Sequence, residues 1–296
     1  MLMPRKPHII MNRLTVKLFA VILFIFASAM IALGQQRPLI TEDVDVVKPG
    51  IIRIETGFEF LQDIRFPLSG LRGDMTKVLD TRLSFGLSPM VEFQIEWTPQ
   101  SFLSIKGRGP TPLDLKLGAN AADTNDVGDV TLWMKMKLRN ETRIAPSLGF
   151  RFGVQLPNSN QTRGIGSNTM NAYATINAGK KFAGGRLNVF GNLGLGILQA
   201  PLSNFTQNDV LLYGLASIYR LSDRVNLVGE VNGAHSTRKT APLGTEDFSE
   251  ARVGAQIRAL GLRFNAAGIF GLSDRAPKTG ISFGITYDWQ AFEPIK

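Results

Sequence analysis

The chain has 296 residues, a formal charge of +9, two histidines (His8 and His235) and no cysteine. Disulfides, thiolate chemistry and a lipidated cysteine are therefore excluded, as is a multi-histidine metal site, and no cofactor or metal is expected. With 44% hydrophobic and 19% charged residues, the chain carries enough apolar surface to fold and is not a disordered polymer.

Arg5, Lys6, Arg13 and Lys17 precede an uncharged apolar run over 18–33, which ends in Ala32-Leu33-Gly34. A basic region, an apolar core and small residues at the exit are the parts of a secretory signal peptide, so 1–34 is expected to be cleaved. A membrane anchor is the rival reading, but the run is shorter than the roughly 20 residues a spanning helix prefers. Its loss removes four cations and leaves a charge of +5 on 35–296, which gives no reason to expect nucleic acid as a partner. Residues 35–50 are polar and lie upstream of any strand pattern; they read either as a periplasmic segment or as a plug. The barrel domain is expected over 51–296.

From there the chain alternates with period two, placing apolar side chains on one strand face and polar ones on the other. Ile52, Ile54, Thr56, Phe58 and Phe60 oppose Arg53, Glu55 and Glu59. Leu79, Leu83, Phe85 and Leu87 oppose Asp80, Arg82 and Ser84. Val91, Phe93, Ile95 and Trp97 oppose Glu92, Gln94 and Glu96, and Val130, Leu132, Met134 and Met136 oppose Lys135 and Lys137. Weaker repeats follow over 148–156, 172–178, 187–195, 211–219, 225–231, 253–259 and 262–270. Ile281, Phe283, Ile285, Tyr287 and Trp289 close the series. About twelve strands, most of them long, fit a membrane better than a soluble sheet, whose strands average about 5 or 6 residues. The expected fold is all-β: a transmembrane, antiparallel, up-and-down β-barrel.

The connections agree. Tight turns at Ser88-Pro89, 140–142, 183–185, 222–224 and Leu260-Gly261 alternate with long loops at 62–75, 98–127, 157–167, 200–208, 236–247 and 273–278. Outer-membrane barrels segregate loops this way, with the short turns periplasmic. Trp97, Phe60 and Phe270 near one set of strand ends, and Tyr219, Tyr287 and Trp289 near the other, would form two interfacial aromatic girdles. The final strand, with Gly284, Tyr287 and Trp289, resembles the C-terminal signal recognised by the barrel assembly machinery, although seven residues follow Trp289.

Arg37-Pro38-Leu39-Ile40-Thr41-Glu42-Asp43, Pro49-Gly50, Gly128-Asp129-Val130 and Leu156-Pro157 resemble the phenol meta-degradation pathway family of outer-membrane proteins. That family is distantly similar to the long-chain fatty-acid and toluene transporters. The resemblance implies a β-barrel for uptake of small aromatic or hydrophobic compounds and supplies no catalytic residue.

Lys or Arg facing lipid at mid-depth would cost about 2–4 kcal/mol each, so the polar wall must face inward. The expected lumen lining is Arg53, Glu55, Glu59, Arg82, Glu92, Glu96, Lys135, Lys137, Arg151, Glu230, Arg252 and Arg258, with opposite charges paired across it. Passive transport of a small-molecule solute is the leading function, with outer-membrane lipids as surroundings. A non-conducting structural or adhesive barrel is the alternative. A lipid-modifying enzyme resting on His235-Ser236 is the third reading. In lipid-hydrolysing outer-membrane barrels the Ser lies two positions after the His; adjacent residues point to opposite faces, so the chain is expected not to be an enzyme.

Overall fold

A computed structural model describes residues 37–203 and 206–293; the expected signal peptide lies outside the described residues. Among the described residues fourteen strands run in chain order: β1 Ile51–Phe66, β2 Leu71–Ser88, β3 Val91–Trp97, β4 Gln100–Arg108, β5 Asp123–Asp126, β6 Val130–Arg139 and β7 Ser147–Leu156. They continue as β8 Asn171–Phe182, β9 Leu187–Gln199, β10 Gln207–Arg220, β11 Val225–Ser236, β12 Phe248–Ala259, β13 Leu262–Gly271 and β14 Thr279–Gln290.

Each strand pairs antiparallel with its neighbours, and β1 pairs with both β2 and β14, so the sheet closes on itself. β3 and β4 follow one another along β2, and β5 and β6 follow one another along β4 and β3. Each pair makes one interrupted stave of a twelve-stave barrel. Around the belt closure leaves no free edge, which is the condition for β-structure in lipid; the short β5, beyond it at the long-loop end, pairs with β4 alone. The two interruptions, at 98–99 and 127–129, are neighbours in the wall and are bridged by Gly128 N–H donating to Thr98 O at 2.8 Å.

The alternation settles which wall faces lipid. Leu193, Leu195, Leu215, Val231 and Val253 are exposed on the outside, whereas Arg53, Glu55, Glu59, Arg82, Glu92 and Lys135 are buried inside. Phe60 and Phe270 stand outward toward the long-loop end, and Tyr219 and Trp289 at the short-turn end; Trp97, expected in the long-loop girdle, stands outward at the wall interruption opposite Thr81, because its stave continues as β4. Trp289 lies opposite Ile52, and Phe60 opposite Ile281. These levels are eight residues apart along the strand, about 26 Å, or roughly 20 Å of height at a tilt near 40°. That is the scale of an outer-membrane apolar belt.

Two strand extents depart from the sequence expectation. The loop expected at 62–75 narrows to a turn at 67–70, and the loop expected at 98–127 narrows to 109–122, because β1, β2, β4 and β5 continue beyond the belt. The inward residues there are apolar: Leu61, Ile64, Leu71, Met75, Leu103 and Ile269 form one buried cluster at the long-loop mouth, with Phe66, Ile105, Leu115, Leu117 and Ile165 packed on it. Bulges at Asp63 (φ 56°) and Leu79 (φ 54°) shift the register. The alternation that marks the lower half is thereby reset in phase and inverted in polarity.

Candidate functional site: the lumen and its N-terminal segment

Residues 37–50 run around the inner wall of the barrel, exchanging contacts with one stave after another. Gln256 Nε2 on β12 donates to Arg37 O at 2.7 Å, and Arg252 Nη1 donates to Pro38 O at 3.3 Å. Glu230 on β11 accepts the Ile40 and Thr41 N–H groups, each at 2.8 Å. Asn192 on β9 accepts Glu42 N–H at 2.7 Å and returns a hydrogen bond to Glu42 O at 2.6 Å. Asp45 pairs with Lys137 on β6 and Lys181 on β8, both at 2.9 Å, and Val47 N–H donates to Glu92 on β3 at 2.6 Å.

The sequence reading left two places open for this segment, and these contacts put it inside the cylinder. Its irregular backbone is satisfied by lumenal side chains, as a buried, non-regular segment requires.

The wall is shaped for it. Gly214 carries Thr41 against its backbone: a Cβ there would stand 2.6 Å from Thr41 Oγ1. At Gly86 a Cβ would stand 2.0 Å from Lys48 O. Leu39 fills an inward apolar pocket of Phe190, Ala216 and Val228, an island of core within an otherwise ionic lumen.

Glu42 is the hub. Its carboxylate meets Arg82 at 2.9 Å, Lys135 at 3.0 Å and Arg151 at 3.7 Å, and it is almost fully buried. Around it Arg82 also pairs with Glu96 at 2.7 Å, Arg151 with Glu96 at 2.8 Å, and Lys135 with Asp43 and Glu92, each at 3.6 Å. Arg151 lies 3.7 Å over the Trp133 ring, which stacks on Tyr173. Toward the long-loop end, Glu59 binds Arg252 at 2.7 Å and Lys77 at 2.9 Å, while Arg252 also holds Glu250 at 2.6 Å. Toward the short turns, Asp288 is shared by Arg53 and Arg263 at 2.7 and 2.8 Å.

Of the lumen residues named from sequence, eleven enter these contacts; Glu55 does so by accepting Arg37 N–H at 3.3 Å and standing 3.9 Å from Arg82. Arg258 does not: it is half-buried opposite Arg263 near the short turns and forms no ion pair among the described residues. Sequence reasoning missed Glu42, Asp43, Asp45, Lys77, Asn192 and Glu250. A charge count could have found the first three, because the named lining holds seven cations against five carboxylates.

The residues expected from sequence to form an assembly signal lie on β14 at the closing seam, Gly284 opposite Gly57, Tyr287 opposite Ile54 and Trp289 opposite Ile52. His235 Nδ1 is 2.6 Å from Asp247 Oδ2 and is exposed. Ser236 is buried and its hydroxyl donates to Asn208 Oδ1 at 3.1 Å, so it is engaged away from the imidazole.

Among the cavities at the long-loop end, two share walls. A cleft of about 950 Å³ opens at the mouth between the β1–β2, β11–β12 and β13–β14 connections. An inner cavity of about 300 Å³ reaches Lys77 and the wall interruption at Thr98 and Gly128. Arg65, Phe66, Pro67 and Arg275 belong to the walls of both.

A closed antiparallel barrel of twelve staves, with an apolar belt outside and an ionic interior, is an outer-membrane β-barrel, and the chain resides in the outer membrane of a Gram-negative bacterium. Among solved structures it is similar to the COG4313 outer membrane channel from Pseudomonas putida F1, with a TM-score of 0.60, 14% identity, and coverage of 83% of this chain and 98% of that one. The translocator domain of the autotransporter NalP from Neisseria meningitidis gives a TM-score of 0.47 at 12% identity, covering 92% and 95%. The outer membrane channel DcaP of Acinetobacter baumannii gives 0.36 at 9%, covering 79% and 72%. No family model and no curated protein matches the chain. At these identities the likeness is one of fold.

Proposed function

We propose that the chain is a passive outer-membrane channel for small solutes of aromatic or hydrophobic character, restrained by its own N-terminal segment. The observation that carries this reading is a pair of neighbouring cavities with common walls, one open at the mouth and one reaching inward to Lys77. Their lining sets apolar surface, from Phe66, Ile64, Met75, Leu113 and Ile165, beside many polar and charged side chains, a makeup suited to a solute with both an apolar body and a polar group. The fold is shared with a protein described as an outer membrane channel, and the resemblance to the phenol meta-degradation pathway family points to the same solute class.

The inner cavity ends on one side at the ion-paired segment, where Thr98 Oγ1 donates to Asp80 and Asp80 pairs with Arg37. On the other side it ends at the interrupted wall. An apolar solute is rejected by the ionic layer, since separating buried ion pairs is costly. Passage therefore requires the segment to shift or the interruption to part.

Swelling of proteoliposomes tests this with phenylalanine, glutamine and arabinose, the first two being matched in charge. Faster swelling in phenylalanine is expected. Swelling in arabinose at an equal or greater rate would count against an aromatic-selective channel. The second reading, a non-conducting structural or adhesive barrel, is favoured by the density of ties holding the segment, and absence of swelling in every solute would decide for it. For the lipid-modifying reading, the engagement of Ser236 with Asn208 weighs against a hydrolytic pair with His235. The aromatic pattern of β14 supports delivery by the barrel assembly machinery.

A further inference from the structure

The mouth cleft has a charge asymmetry that the ionic lumen lacks. Its walls carry six cationic side chains, Arg65, Arg72, Arg108, Arg238, Lys239 and Arg275, against three carboxylates. Two of those carboxylates are committed to their own loop: Glu246 takes Gly244 N–H on both oxygens at 3.0 Å, and Asp247 takes Ser236 N–H at 2.7 Å and His235.

The cations are less committed. Arg72 pairs with Asp63, but Arg108 donates only to the carbonyls of Gly118 and Ala121. Arg275 donates to the Glu246 carbonyl at 3.2 Å rather than to its carboxylate. Neither Arg65 nor Arg275 has a carboxylate oxygen within 4.0 Å among the described residues, and both stand where the two cavities share a wall. Phe66 and Pro67 line the same two cavities, with Leu71 in the wall of the outer cleft. Burial holds the Arg275 guanidinium below its ordinary range, offset in part by the field of the Glu246 carboxylate, yet an arginine remains charged in a protein, so an anion arriving there meets a cation that has given up water and is held in no direct ion pair among the described residues.

We infer that the mouth cleft binds organic carboxylates, the anionic group bridging Arg65 and Arg275 and the hydrocarbon part lying on Phe66, Pro67 and Leu71. This names the solute class of the channel proposed above and rests on that reading for its physiological meaning. Guanidinium groups bind carboxylates through paired, charge-assisted hydrogen bonds, and an apolar floor adjoining them selects an amphipathic anion over a small hydrated one. Inorganic phosphate shares the charge but not the hydrocarbon. A lipid headgroup phosphate shares the charge but is tied to the membrane plane.

The test is equilibrium binding to the detergent-folded full chain, free of added lipid, by titration calorimetry with benzoate, benzyl alcohol and inorganic phosphate. Benzoate is expected to bind more tightly than either control, and the double variant R65Q/R275Q to weaken benzoate about tenfold while leaving benzyl alcohol unchanged. R220Q, at the short-turn end of β10 and far from the cleft, is expected to change benzoate affinity less than twofold. Unaltered heat-modifiable migration in gels establishes that the variants are folded. Equal affinity for benzoate and benzyl alcohol, tighter binding of phosphate, or indifference of benzoate to R65Q/R275Q would overturn the inference. Because this readout is binding and not flux, failure of all solutes to swell proteoliposomes would remove the channel reading and leave the carboxylate site to stand or fall separately.

Discussion

Replacing Glu42 by glutamine is expected to destabilise the folded barrel by about 3–5 kcal/mol in a urea titration, the usual consequence of deleting one member of a buried ionic cluster. The size follows from the number of cations left behind. Arg82, Lys135 and Arg151 converge on this one carboxylate, and the remaining carboxylates, Glu92 and Glu96, already serve the same three. Glutamine keeps the shape and so isolates the charge. Because these partners form one network, the double variant E42Q/K135Q is expected to lose less than the sum of the single losses. A loss under about 1 kcal/mol, within the range of exposed pairs, would mean that Glu42 is solvated and the segment is not held as described.

A second large effect is expected on the opposite face of the same wall. Leu215 is 63% exposed to the outside, four residues from Tyr219 at the short-turn rim, which places it near the middle of the apolar belt. L215R is expected to cost about 2–4 kcal/mol in bilayers, and Y219R about 0–1 kcal/mol, since the penalty for arginine falls toward the interface. Equal penalties at the two positions would contradict the placement of the belt, and so would a negligible penalty at Leu215.

How far the sequence led can be judged from these residues. The lower wall was legible because its two faces differ so sharply: no arrangement but a wet interior accommodates Arg53, Glu55, Arg82, Glu92 and Lys135 opposite rows of Ile, Leu and Phe. The alternation of short turns and long loops fixed the up-and-down order. The upper wall was not legible, because Leu61, Leu71, Met75 and Leu103 turn inward where the lower wall turns charges inward, and the bulges at Asp63 and Leu79 break the phase between them.

The N-terminal segment was legible only in part. Its residues follow no period, since it pairs with side chains from many staves rather than with one neighbouring strand. Its acidic run, Glu42, Asp43 and Asp45, acquires meaning only against the surplus of lumenal cations. The mouth cleft was invisible to sequence reasoning: Arg65 at the end of β1, Arg108 at the end of β4 and Arg275 in the β13–β14 connection are far apart in the chain, and only closure of the barrel brings them together.

Residues 37–48 occupy the lumen, and in the proposed channel they restrain flow through it. Single-channel recording in planar bilayers, comparing the chain with a variant lacking 37–48, measures this directly. Small or infrequent openings are predicted for the intact chain and a persistent open pore for the deletion. Equal conductance in the two, or a folded deletion variant that never conducts, would contradict it.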